Sequence, residues 1–306
     1  MKIVYAGTPE FALAPLEAIL NAGHEVVAVI TQQDKPTGRK GIITPPPVKV
    51  FALGHGIPVF QPEKIRNEVQ TLQNLQAEAM VTCAFGQILT QEVLNCFEKG
   101  VWNIHASLLP KYRGASPIQW SVINGDAHTG VTIMQTQTGL DTGEILLVKR
   151  TEIYDGETSG ELSARLSVLG AEAIVEGLSL IEKGDTQLLM QDEAQASTVK
   201  KISKEQAKID WNQSGKSIVC LIHGMNPSPV AFSLLDGLPV NIYRASFTEY
   251  AGDEPCGTVL PVRKKLVVKC ADGGLVLDEL QLSGGKKIRG TDALNGRKIQ
   301  QGQRFQ

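Results

Sequence analysis

The stretch KIVYAGTPEFALAPLEAILNAGHEVVAVIT, residues 2–31, decides the fold class. It opens on a short apolar run, KIVYAG, passes through a helical pattern that closes on Gly23, and ends in the β-branched run HEVVAVIT. Strand, helix and strand within about 30 residues make a βαβ unit, and a crossover of this length joins parallel strands. The first turn reads AGTPEFA, not G-x-G-x-x-G, so it lacks the glycines that let a backbone approach a pyrophosphate, and no NAD is expected. No G-x-x-x-x-G-K-[ST] occurs, which argues against nucleoside triphosphate hydrolysis.

The alternation continues beyond this unit. PPPVKVFALGHG (45–56), EVQTLQNLQ (68–76) and TQEVLNCF (90–97) read as helices, and IPVFQP (57–62), AEAMVTCAFG (77–86) and GVWNIH (100–105) as strands. SPIQWSVINGD is helical, TGVTIMQTQ and GEILLVKR form a hairpin turning at TGLDTG, and a long helical pattern fills 158–184. The sequence thus predicts an α/β fold: a Rossmann-like, doubly wound, mainly parallel sheet over residues 1–187. Residues 188–205, polar and weakly periodic, read as a linker. Residues 206–306 carry short β-rich runs with glycine turns and predict a small OB-like β-barrel, with a sandwich as the alternative.

Of 306 residues, 42% are hydrophobic and 20% charged, the balance of a soluble globular protein. There is no run of 18 apolar residues, and MKIVYAGTP lacks the apolar core of a signal peptide, so no membrane and a cytoplasmic location are expected. The five cysteines are scattered with no C-x-x-C, and the five histidines form no H-E-x-x-H or H-x-H, so neither a disulfide frame nor a metal is expected. Net charge is −2, but residues 206–306 hold 13 Lys/Arg against 9 Asp/Glu, a net of +4. Such basic clusters form either a solvated face or a polyanion contact.

Asn103 and His105 are separated by one residue on a strand, so both side chains share a face. They stand near the carboxyl end, where open parallel sheets collect reactive groups. Taken alone, the pair fits either a capping amide with a structural imidazole or a reactive site. Two features favour the second reading: the segment after His105 has no periodicity for about ten residues, and Asp141 sits at the tip of the predicted hairpin. An amide can donate to a developing oxyanion, and a histidine held by a carboxylate can donate or pass a proton. Without a strong protein nucleophile, such a set suits acyl transfer to a nucleophile that the substrate supplies, for example an amine. Ser107 has no second histidine nearby in sequence to activate it.

These residues carry a spaced motif, N-x-H-x-S-L-L-P-x-x-R-G, followed about 30 residues later by Asp141 in the turn Gly139-Leu140-Asp141-Thr142-Gly143. The motif resembles that of the folate-dependent formyltransferase family. The likeness extends through AGTPEFA, TQQDKPTGRK, PPPVKV and IDW (209–211), and is greatest to members that act on charged initiator tRNA. The resemblance implies formyl transfer from 10-formyltetrahydrofolate to the α-amino group of methionine on that tRNA. Asn103, His105 and Asp141 become the catalytic set: Asn103 and protonated His105 polarise the formyl oxygen, while Asp141 orients His105 and assists proton removal from the amine. Ser107, Leu108, Leu109 and Pro110 become a folate-binding loop, with Phe85, Gly86, Gln87, Ile88 and Leu89 lining the pterin pocket through backbone groups.

DKPTGRKGIITPPP (34–47) reads by composition as a flexible loop. In the resembling enzymes a loop at this place enters the tRNA acceptor arm, which makes Lys35, Arg39 and Lys40 the implied tRNA contacts, suited to phosphate or base edges. Relatives are often richer in lysine where this chain has Gly41-Ile42-Ile43, and usually carry tryptophan near NPSPVAF (226–232). A monomer is expected. The competing readings are a formyltransferase acting on an amino-sugar nucleotide, a formyltetrahydrofolate hydrolase and, more remotely, a non-enzymatic RNA-binding module.

Overall fold

The computed structural model describes residues 1–38 and 41–306, so Arg39 and Lys40, two of the three implied tRNA contacts, lie outside the described residues. The chain forms two compact units: residues 1–114, 129–151 and 163–198 make the first, and residues 115–128, 152–162 and 199–306 the second. The division therefore does not fall at one point in the chain, because two short segments before residue 187 group with the C-terminal unit.

The first unit is built on a seven-stranded sheet in the order Ile145–Glu152, His128–Gln135, Val101–His105, Ala79–Cys83, Lys2–Gly7, Glu25–Ile30, Val59–Phe60. Pairing is parallel from Val101–His105 through to Val59–Phe60. His128–Gln135 runs antiparallel beside Val101–His105, which makes the sheet mixed at that side. The predicted doubly wound α/β class is the observed one. The parallel strands are buried almost throughout, as continuous apolar runs covered on both faces must be.

The helix Ser159–Lys183 comes close to the strand Val101–His105 at one glycine. Within the first unit, a Cβ at Gly170 would stand 3.0 Å from Ile104, so the bare backbone lets the helix approach this strand closely. Ile104 is thereby committed to the packed face, and strand alternation turns Asn103 and His105 to the other.

Residues 34–44 depart from the loop expectation. Lys35–Thr37 and Ile42–Thr44 pair antiparallel, with Lys35 opposite Thr44 and Thr37 opposite Ile42. Gly38, after the first strand, and Gly41, before the second, both take positive φ, a conformation that glycine adopts without steric cost.

The second unit contains an antiparallel half-barrel sheet in which Leu238–Thr248 lies between Ala231–Leu235 and Gly273–Leu282. Val267–Cys270 and Lys287–Arg289 share the remaining edge of Gly273–Leu282. Its core includes Trp211, Ile222, Ile242, Leu275 and Phe305, and Trp211 donates its indole N–H to Ser233 Oγ at 2.9 Å. At the stretch without tryptophan, Val230 and Ala231 are buried and Asn226 Nδ2 donates to Tyr243 O at 2.8 Å. All five cysteines are free thiols. Among the described residues no helix is long and apolar enough to cross a membrane.

Candidate active site

The site starts from one strand ladder. Asn103 pairs with Thr82 on the neighbouring strand, and Thr82 Oγ1 donates to Asn103 Oδ1 at 2.9 Å. That bond occupies the carbonyl end of the amide and directs its NH2 away from the ladder. Two residues on, His105 is buried, with Nε2 3.0 Å from Tyr112 O. A carbonyl only accepts, so Nε2 is the donor in this contact. The other ring nitrogen, Nδ1, lies 3.7 Å from Asp141 Oδ2.

Asp141 sits in its turn at φ +51°, a left-handed conformation in which its Oδ2 accepts from Gly114 N at 2.8 Å. The turn itself needs a glycine, because a Cβ at Gly143 would collide with Gln135 O. Of positions 103, 105 and 141, the structure brings two side chains face to face: the imidazole and the carboxylate lie 3.7 Å apart, with the Asn103 amide on the same face of the strand as His105. The bond from Asp141 back to Gly114 also ties the turn to the loop that follows His105.

That loop is tightly stitched. Ser107 is fully buried and its hydroxyl donates to Lys111 O at 2.6 Å, so it is spent on the loop and is not placed as a nucleophile. Thr132 Oγ1 donates to Ser107 O at 2.7 Å and accepts from Leu109 N at 3.2 Å. Leu109 packs with Met134 and Ile145. In the second predicted folate segment, Phe85 and Leu89 belong to the core, and Phe85 O accepts from Thr8 Oγ1 and Gln32 Nε2. Gln87 is spent locally, accepting from Ile65 N and donating to Pro62 O. Gly86 and Ile88 are exposed, while Leu108 and Pro110 are half-buried. The side chains of Ser107, Leu109, Phe85 and Leu89 are therefore committed to the protein interior. Lys35 is exposed on its hairpin, away from these bonds.

Several residues around the pair have no role assigned from the sequence, whether inside the motif or outside it. Thr82 gives no signal beyond its place in an apolar strand. Arg113 is buried, and its guanidinium makes a two-pronged ion pair with Glu193 at 2.9 and 2.7 Å. The paired carboxylate raises the arginine's pKa, with Asp141 adding to the effect, and the arginine holds Glu193 below the usual carboxylate range. A buried arginine in a segment with few acids needs a carboxylate from elsewhere, and that need was the available clue. Gln191 and Ser197, read as linker, also bond to this loop or to the Asp141 turn. A cavity of about 810 Å³ opens at the opposite end of the same strand, around Gly100, Val101, Trp102 and Thr136, and contains none of the catalytic candidates. Among the described residues no group of three His, Cys, Asp or Glu side chains is arranged to hold a metal ion.

Comparison with known proteins agrees in both sequence and fold. The model described as "Formyl transferase" matches residues 1–178, and "Formyl transferase, C-terminal domain" matches residues 201–298. A methionyl-tRNA formyltransferase of Geotalea uraniireducens is 44% identical over 305 residues, covering 99% of this chain and 97% of the relative. Another, of Ruminiclostridium cellulolyticum, is 40% identical over 310 residues, covering 100% and 99%. Among solved structures, an N-formyltransferase from Helicobacter canadensis, in complex with folinic acid and dTDP-3-aminofucose, superposes with a TM-score of 0.69 at 19% identity, covering 94% of this chain and 100% of that one. HypX from Aquifex aeolicus in complex with tetrahydrofolic acid gives 0.66 at 16% identity, covering 96% and 47%. At such identities these two report the fold. With its length matched almost end to end by both models and by relatives at 40–44% identity, the chain belongs to the formyl transferase family.

Proposed function

We propose that this enzyme transfers the formyl group of 10-formyltetrahydrofolate to the α-amino group of methionine on charged initiator tRNA. The observation that carries the reading is the near full-length identity to relatives named methionyl-tRNA formyltransferase, in a chain whose His105 and Asp141 face each other beside Asn103.

The chemistry asks little of a protein nucleophile, because the amine is the nucleophile. Its nitrogen bonds to the formyl carbon, the carbon–N10 bond of the folate breaks, and the proton shed by the amine is returned to N10. Asn103 donates its NH2, turned outward by Thr82, to the oxygen that becomes an oxyanion. His105, carrying a proton on both nitrogens, stands between Tyr112 O and the Asp141 carboxylate and adds positive charge beside that oxygen. Asp141 holds the imidazole and takes part in removing the amine's proton. Ser107 to Pro110 and Phe85 to Leu89 supply the folate site, chiefly through backbone groups.

Residues 1–187 carry the transfer chemistry and 206–306, with their net charge of +4, hold RNA. Lys35, Arg39 and Lys40 meet the acceptor arm. The acting form is a cytoplasmic monomer.

The test is direct: purified protein, formyl-labelled folate and charged initiator tRNA, with label followed into formylmethionine. Transfer to the tRNA supports the reading. Transfer only to an amino-sugar nucleotide, or release of formate without an acceptor, overturns it in favour of the sugar enzyme or the hydrolase.

A further inference from the structure

The segment that reads as a linker does more than connect. Leu189 exchanges both backbone hydrogen bonds with Ile145, at 2.8 and 2.9 Å, just beyond the Asp141 turn. Gln191 Nε2 then donates to Asp141 O at 2.8 Å and to Gly143 O at 2.7 Å, so both amide hydrogens are spent on two carbonyls of that turn. The other end of the same amide is fixed, since Oε1 accepts from Arg113 Nε at 2.9 Å. Arg113 is in turn held by Glu193. Farther along, Ser197 Oγ accepts from Tyr112 N at 2.9 Å, Ser197 O accepts from Arg113 N at 2.8 Å, and Ser197 N donates to Pro110 O at 3.1 Å. Tyr112 is the residue whose carbonyl accepts from His105 Nε2.

Both members of the reacting pair are therefore reached by one stretch of chain: Asp141 through Gln191, and His105 through Tyr112 and Ser197. The residues gripped at each end, Asp141 at φ +51° and Tyr112 at φ +61°, adopt the left-handed conformation that non-glycine residues occupy when surrounding bonds impose it. The contact between Nδ1 and Oδ2, at 3.7 Å, is longer than a hydrogen bond, so small changes in the turn decide whether it closes.

We propose that residues 189–197 form a strap that holds the His105–Asp141 pair in register, with Gln191 as the positioning residue for Asp141. This inference rests on the assignment of Asp141 and His105 to formyl transfer.

Gln191→Glu in the full-length protein tests it, because glutamate keeps the shape and the acceptor for Arg113 but replaces two donors with an oxygen facing two carbonyls. Misplacement of a reacting group by about 1 Å costs on the order of a hundredfold. The expected result is a fall in kcat of about ten- to a hundredfold, with KM for 10-formyltetrahydrofolate and for charged tRNA within about twofold and an unchanged melting temperature. Ser197→Ala should lower kcat by about two- to tenfold, the worth of one neutral hydrogen bond, and Ser197→Thr, which retains the hydroxyl, should restore it. Unchanged kcat in Gln191→Glu, a proportionate rise in KM, a fall in melting temperature that accounts for the lost activity, or failure of the Ser197 pair to differ would each overturn the strap. Asp141→Asn run alongside separates the two levels. If it leaves the rate intact, the site assignment fails; if it abolishes the rate while Gln191→Glu does not, the strap alone fails.

Discussion

Two segments of the first unit look alike in sequence and are built differently. Residues 103–114 and 34–44 both mix prolines or glycines with basic residues and lack helical periodicity. In the first, His105, Ser107 and Arg113 are buried and each side chain is bonded at a defined atom. In the second, Lys35–Thr37 and Ile42–Thr44 are exposed throughout, Ile42 and Ile43 by 63% and 66%. The hairpin is anchored at its base, where Asp34 accepts from Lys49 Nζ at 2.9 Å and from Gln61 Nε2 at 2.8 Å. That difference fits the two tasks proposed for these segments. Bond making needs groups held to a fraction of an ångström, whereas recognition of a large polyanion needs charges and surface that can reach it.

The comparison predicts which kinetic constant each segment controls. His105→Ala should have the largest effect, lowering kcat by about 10²–10⁴-fold, the range for a positioned acid–base group, with KM for the folate little changed. An effect confined to KM would make His105 a binding residue and erase the contrast. Asn103→Ala follows, at about 10²–10³-fold in kcat, the cost of one oxyanion donor. A folded variant with wild-type kcat would remove the amide from the mechanism. Steady-state kinetics over both substrates measures each case.

How far these assignments were legible depends on where each residue's partner lies. The βαβ start, the sheet class and the shared face of Asn103 and His105 follow from local periodicity, which the chain carries openly. The approach of Asp141 to His105 was implied by the family resemblance, whereas its bond to Gly114 N joins residues 27 apart in sequence and has no periodic signature. Residues 189–197 were opaque for the same reason. Gln191, Glu193 and Ser197 are polar because their partners are the carbonyls, amides and guanidinium of a distant loop, and polarity without periodicity reads as a linker. The pairing of Lys35–Thr37 with Ile42–Thr44 was hidden by Pro36, Gly38 and Gly41, which mark turns more strongly than three-residue strands mark themselves.

The recognition half of the comparison is sharpened by Arg39→Ala. Hydrogen bonds to a charged group are worth about 1.5–3 kcal/mol, so KM for charged tRNA should rise about ten- to a hundredfold while kcat and KM for the folate stay level. The dependence of tRNA affinity on salt should also flatten, because fewer counterions are displaced from the phosphates. A parallel loss for both substrates would mean that the segment shapes the folate pocket, and the two segments would then share one task.

The smallest expected effect probes the fixed half at its least obvious point. Thr82 is buried in the strand Ala79–Cys83 and touches no reacting group, but its hydroxyl holds the carbonyl end of the Asn103 amide. Thr82→Val keeps the branched shape that a strand favours and removes only that donor. Without it the amide is free to turn about its last torsion and presents NH2 to the oxyanion for a smaller fraction of the time. A neutral hydrogen bond contributes about 0.5–1.5 kcal/mol, so kcat should fall by about two- to tenfold, with folate and tRNA KM values unchanged and thermal stability nearly so. Adding Asn103→Ala to the same chain should abolish the difference, because an amide that is absent has no orientation to lose. If Thr82→Val instead lowers kcat equally in both backgrounds, the hydroxyl acts through the strand and not through the amide.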